Sequence, residues 1–218
     1  SLVLRYSYND TEIYKSSISP EIGSSFSLSY QHANKVLGSD LTFSKILFDS
    51  RKYFPLSGQN QVMAIRLAIG ATSKGLNEKE QFHLGGNSNN TVLNSINNSS
   101  FPLRGFSSYS FSGKNLVCSS LEYRFPIKTV EEKIGFDWAS IFLERISGSL
   151  FLDAGHAWDA WEEKPNTFHH KINASVGAEL IFKFNSAQNS PYNITLGIGK
   201  PITDSSQFRF YFQTGISF

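Results

Sequence analysis

Arg104 is the side chain with the clearest chemical promise. It stands in the run Phe101-Pro102-Leu103-Arg104-Gly105-Phe106, inside a long polar stretch between two β-like segments. A guanidinium in such a stretch either faces water or turns inward, where its planar fork can meet carboxylates. The inward course needs anionic partners, because an unpaired buried charge is very costly. Patterned segments carry carboxylates that could supply them, among them Glu122, in Leu121-Glu122-Tyr123-Arg124-Phe125-Pro126-Ile127, and Asp153, in Phe151-Leu152-Asp153-Ala154-Gly155-His156-Ala157-Trp158. Asp137 and Glu179 are further carboxylates that could pair for acid–base work, although a polar wall lined with charges explains all four more simply.

Other chemistries find little support. The five histidines (His32, His83, His156, His169 and His170) show no ligand spacing shared with cysteine or carboxylates, so no metal site is expected. Adjacent His169 and His170 would point to opposite faces of a strand. The single cysteine, Cys118, excludes an internal disulfide framework and a multi-cysteine metal centre. No nucleophile elbow, P-loop or dinucleotide fingerprint occurs, so neither a catalytic residue nor a cofactor is expected. A net charge of +2 gives no bulk electrostatic case for nucleic acid. Asn-x-Ser/Thr triplets starting at Asn9, Asn89, Asn97, Asn98, Asn173 and Asn193 are what an Asn/Ser-rich chain produces by chance.

The elements that must position Arg104 and its partners read as strands. With 19 Phe, 9 Tyr and many Ser, Asn and Gly, the composition suits strands and turns. Period-two alternation marks residues 2–8, 25–32, 41–50, 61–71, 80–84, 115–127, 147–158, 172–184, 192–200 and 207–218, about ten strands in one domain over 1–218. In 172–184, Ile172, Ala174, Val176, Ala178, Leu180, Phe182 and Phe184 oppose Asn173, Ser175, Gly177, Glu179, Ile181 and Lys183. In 115–127, Leu121, Tyr123 and Phe125 oppose Glu122 and Arg124, and in 147–158 Leu150 and Leu152 oppose Phe151 and Asp153. Glu122 and Asp153 thus fall on the polar face, as does Glu179. Residues 41–50 are ambiguous in facing, and 128–146 read as a loop with a short helical piece. The loop carrying Arg104 covers about 86–114, long for a compact domain and therefore functional in expectation. Gly85 and Gly86 read as turn residues.

Alternation alone fits two architectures. A soluble sandwich would bury the apolar face; a membrane barrel would turn it to lipid and enclose the polar face. Three features favour the membrane. The strands are long enough to span a bilayer at a tilt. Several apolar faces end in aromatics, such as Tyr30, Tyr123, Trp158 and Tyr192. The chain also stops on Phe218, the last residue of an aromatic alternating segment.

Taken in order, Phe82–Asn87, Leu103-Arg104-Gly105-Phe106, the Leu121–Ile127 and Phe151–Trp158 segments and Phe218 resemble the C-terminal barrel of the BamA/TamA/FhaC superfamily, also called the bacterial surface antigen family. These are outer-membrane insertases and two-partner-secretion translocators. The resemblance implies an all-β, transmembrane antiparallel β-barrel of about sixteen strands, of which this chain supplies the C-terminal part. It implies that the loop folds into the lumen and that Arg104 meets Glu122 and Asp153 on the wall. It also makes Phe218 a terminal signal read by assembly machinery. The implied function is non-enzymatic outer-membrane protein assembly or insertion in a Gram-negative outer membrane. The partners would be outer-membrane lipids, unfolded outer-membrane protein clients and periplasmic or lipoprotein accessory subunits. A two-partner-secretion translocator, or a barrel anchoring a fused periplasmic domain, is the alternative.

Overall fold

The structure is a computed structural model that describes residues 1–14, 17–73, 81–87, 99–134, 141–159, 172–186, 191–204 and 207–216. Its strands are β1 (Leu2–Asn9), β2 (Gly23–Ala33), β3 (Phe43–Pro55), β4 (Val62–Thr72), β5 (Phe82–Leu84), β6 (Ser100–Phe101), β7 (Phe111–Gly113), β8 (Asn115–Ile134), β9 (Ile141–Trp158), β10 (Asn173–Ser186), β11 (Pro191–Pro201) and β12 (Arg209–Ile216). Nine of them form one antiparallel sheet in the order β1-β2-β3-β4-β8-β9-β10-β11-β12. Consecutive strands pair throughout, except where the Arg104 loop intervenes between β4 and β8. The only helix among the described residues is a 3-10 turn at Lys35–Leu37, capped by Asn34.

The two faces of this sheet differ as the alternation requires. Leu28, Ile46, Ile65, Leu67, Leu121, Leu150, Leu152, Val176 and Leu196 stand exposed on one side. Phe210 on the same side is 82% exposed and, among the described residues, packs against no second sheet. A continuous apolar face of this extent is a liability in water and the required surface in hydrocarbon. The opposite, inward face carries Asp49, Arg66, Ser120, Glu122, Arg124, Asp153 and Glu179, and the loop lies against it. Residues 41–50, ambiguous by sequence, resolve with Phe43, Lys45 and Leu47 buried on the inward side and Ile46 outward.

Two expectations are corrected. Where it is described, the run at 80–84 lies outside the wall, whose described strands number nine. Its residues Phe82–Leu84 instead form the centre of a separate three-stranded sheet, β6-β5-β7, inside the loop. The stretch 128–146 is no helical loop where it is described: β8 runs on to Ile134 and β9 begins at Ile141. The β8–β9 ladder shifts between Pro126 and Lys128 and again between Thr129 and Glu132. Such bulges break strict period two while preserving the pairing, which is why alternation fades there in the sequence. Residues 135–140 lie outside the described part.

Candidate functional site

The loop is ordered by its own small sheet before it reaches the wall. β5 pairs with β6 in parallel and with β7 antiparallel. Gly85 and Gly86, at φ 134° and 74°, turn the chain so that the Leu103 N–H donates to the Gly86 carbonyl at 3.0 Å. Phe82, Leu84, Phe101, Leu103 and Phe106 then form an apolar cluster with Leu47 of β3, Ala68 of β4, Leu116 and Cys118 of β8, and Ala157 of β9. Burial of each large side chain contributes about 1.5–3 kcal/mol as an upper bound. Cations reach under the aromatics as well: Lys45 Nζ sits 4.5 Å from the Phe82 ring centre and donates to Ser99 Oγ at 2.7 Å. Arg66, held by Asp49 through Nε at 3.1 Å and Nη2 at 2.7 Å, lies 5.6 Å from the Phe101 ring.

This plug delivers Arg104 to the wall with 6% of its surface exposed. Its Nε donates to Asp153 Oδ2 at 2.8 Å and its Nη2 to Asp153 Oδ1 at 2.7 Å, a forked pair, and its backbone N–H donates to Oδ2 at 3.1 Å. Glu122 Oε1 lies 2.8 Å from Nη2, and Glu179 Oε1 accepts from Nη1 at 3.2 Å. Ser120 Oγ accepts from Nη2 at 2.9 Å while its hydroxyl donates to Asp153 Oδ1 at 2.6 Å. The guanidinium carbon is 3.8 Å from the centre of the Phe151 ring. Burial alone would lower the Arg104 pKa, but the hydrogen bond to Asp153 and the fields of Glu122, Asp153 and Glu179 outweigh it and raise the value well above the usual one.

Strand register explains why these groups converge. Three successive inward rows run across β8 to β11: Ser120–Asp153–Ser175–Pro201, Glu122–Phe151–Gly177–Gly199, and Arg124–Ser149–Glu179–Gly197. Arg104 spans all three, meeting Asp153 in the first, Phe151 in the second and Glu179 in the third. Gly105, at φ 92°, rests on Gly199, where a Cβ would come within 2.7 Å of the Gly105 nitrogen. The wall is cut to fit the turn after the arginine.

Comparison with known proteins now bears on this arrangement. The Omp85 superfamily domain model matches residues 2–218. The chain belongs to the Omp85 superfamily. This Omp85 chain is similar to a solved structure described as the crystal structure of BamA from Haemophilus ducreyi lacking POTRA domains 1-3, with a TM-score of 0.65 and 19% identity. The match covers 98% of this chain and 42% of that one, so the chain spans less than half the length of this relative. At that identity the likeness speaks for the fold, an outer-membrane-type antiparallel β-barrel of which the nine described strands are an open part. No curated protein sequence matches. Membership of the Omp85 superfamily agrees with the resemblance carried by the ordered motifs in 82–158.

Of the residues singled out by sequence, Arg104 meets Glu122 and Asp153, Leu103 and Phe106 join the apolar cluster, and Gly105 rests on Gly199. Phe218 lies outside the described residues, as do His169, His170 and Asp137. Glu179, Ser120 and Phe151 were not expected as arginine partners. Their strand parity was legible, but the row alignment that brings β10 beside β8 and β9 was not. Glu122 also holds Arg124, whose Nε and Nη2 donate to Oε2 at 2.8 and 2.6 Å. A cavity of about 450 Å³ adjoins the docked arginine in this Omp85 chain, lined by Arg51, Tyr53, Glu122, Arg124, Asn193 and Gln213 among others. Among the described residues no cluster of His, Cys, Asp and Glu is arranged to hold a metal ion.

Proposed function

We infer that this chain forms the C-terminal part of a Gram-negative outer-membrane barrel that assembles or inserts other outer-membrane proteins, as BamA- and TamA-type barrels do, without an enzymatic step. The supporting observation is the loop: an apolar plug and a three-carboxylate clamp hold Leu103–Phe106 against the inward face. A segment so held keeps the inward wall in one shape. An insertase needs a wall kept in one shape while its edge exchanges partners. β12 offers such an edge, since among the described residues it pairs on one side only, and an unpaired strand edge templates the addition of another strand. Gly215 sits in open space on β12 and weakens that strand without serving any close packing. The partners are outer-membrane lipids on the apolar face, unfolded barrel clients at the edge, and accessory subunits in the periplasm.

Omp85 translocators for secreted polypeptides draw on the same construction, and the mixed-charge cavity beside the loop is the observation on which that second reading rests. Replacing the whole protein in cells by its Arg104→Ala form separates the readings. The insertase reading expects folded client barrels, followed by their heat-modifiable migration, to fall several-fold while the variant itself remains folded. Undiminished client assembly sinks it. Loss of a secreted polypeptide with client assembly intact supports the translocator, and no change in either supports an anchor for a fused periplasmic domain.

A further inference from the structure

The third inward row continues onto the edge strand. Glu179 of β10 faces Gly197 of β11, and Gly197 faces Tyr211 of β12. Gly197 has no side chain, so the Tyr211 ring lies across it; a Cβ there would collide with the ring and its hydroxyl. The Tyr211 hydroxyl thereby reaches over β11 and donates to Glu179 Oε1 at 2.6 Å. That same oxygen accepts from Arg104 Nη1 at 3.2 Å. One carboxylate oxygen is therefore shared between the loop and the edge strand. β12 has eight residue pairs with β11, against eleven for β10–β11 and fourteen for β9–β10. Among the described residues β12 has few pairs and a partner on one side, features of an element of low local stability, so a bond that skips a strand matters there.

We propose that Tyr211 is a positioning residue that couples docking of the Arg104 loop to attachment of β12. With Arg104 in place, Glu179 is charge-balanced and its oxygen is aimed at Tyr211. With Arg104 gone, Glu179 is left on the same wall as Asp153 and Glu122, like charges that now repel, and its orientation toward Tyr211 is no longer held. The loop thus sets how firmly the edge strand is held, and by reciprocity the edge strand sets how firmly the loop is docked. This coupling belongs to the wall itself and stands apart from what the barrel inserts or transports.

The test is hydrogen exchange, resolved by peptide, on the whole protein in lipid nanodiscs, in four forms: unaltered, Tyr211→Phe, Arg104→Gln and the double variant. A hydrogen bond to a charged group corresponds to roughly tenfold or more in local opening. Tyr211→Phe keeps the ring over Gly197 and removes only the hydroxyl. It should speed exchange across Arg209–Ile216 by about that factor while β9 is unchanged. Arg104→Gln should speed the same β12 amides, and the double variant should be no faster than the faster single one. If Arg104→Gln frees the loop but leaves β12 exchange unaltered, or if the double effect is the product of the singles, the coupling is refuted. Should Arg104→Gln fail to fold, Tyr211→Phe decides alone: faster exchange at Leu103–Phe106 supports the coupling, and unchanged exchange there overturns it.

Discussion

Arg104 is asked to do what lysine cannot. Its fork places Nε and Nη2 on the two oxygens of Asp153, leaves Nη1 for Glu179 and lays its plane over Phe151. A lysine would keep the charge but offer one point of attachment and no stacking plane. Arg104→Lys is therefore expected to weaken docking by about 1–3 kcal/mol. Arg104→Ala should cost about 3–5 kcal/mol, because it strands Glu122, Asp153 and Glu179 together. Limited proteolysis within the loop, ranked unaltered, Lys, then Ala, checks both. The arginine and two of its acids were legible in the sequence because motif and strand parity agreed on them. Glu179 was not, since nothing local distinguishes it from any other polar residue of an alternating strand. Its role comes from lateral alignment of β8, β9 and β10, which one strand's sequence does not encode.

At the scale of elements, the loop behaves as a small folded unit seated on the wall. Phe101 is 3% exposed, tilts against Phe82 at 6.1 Å and caps Arg66. Phe101→Ala removes the centre of that unit and should cost about 3–5 kcal/mol. The wall is left intact, so strand exchange and heat stability of the sheet should change little while loop cleavage rises. Equal loss of both would show that loop and wall fold as one piece. Most wall strands were visible as alternation; β3 was ambiguous in facing, and the bulged end of β8 and the start of β9 were missed because two offsets in their ladder erase the period. The β6-β5-β7 sheet was invisible for a different reason. Its strands are two or three residues long, too short to show any period, and a parallel pair between residues 83–84 and 100–101 is a tertiary choice.

The molecule as a whole is defined by two faces of opposite character. Phe208, Phe210 and Phe212 line the outward side of the edge strand, and arginines and carboxylates fill the inward one. Phe210→Arg should cost about 2–4 kcal/mol if it lies near the middle of the bilayer, measured by equilibrium unfolding of the whole protein in lipid vesicles. Gln213→Arg, on the inward side beside the cavity, should cost far less. Alternation declared the two faces at once but left open which of them met water; the exposed apolar side, together with the Omp85 match, reads as the lipid side. The central claim is narrower: Leu103–Phe106 is held on the inward wall. The amides of Leu103, Arg104 and Phe106 donate to the Gly86 carbonyl, to Asp153 and to the Leu103 carbonyl. Backbone hydrogen exchange of Leu103–Phe106 in the bilayer-embedded protein tests this most directly. Protection comparable to that of neighbouring β8 is the expected result, and exchange at the rate of an exposed loop would contradict it.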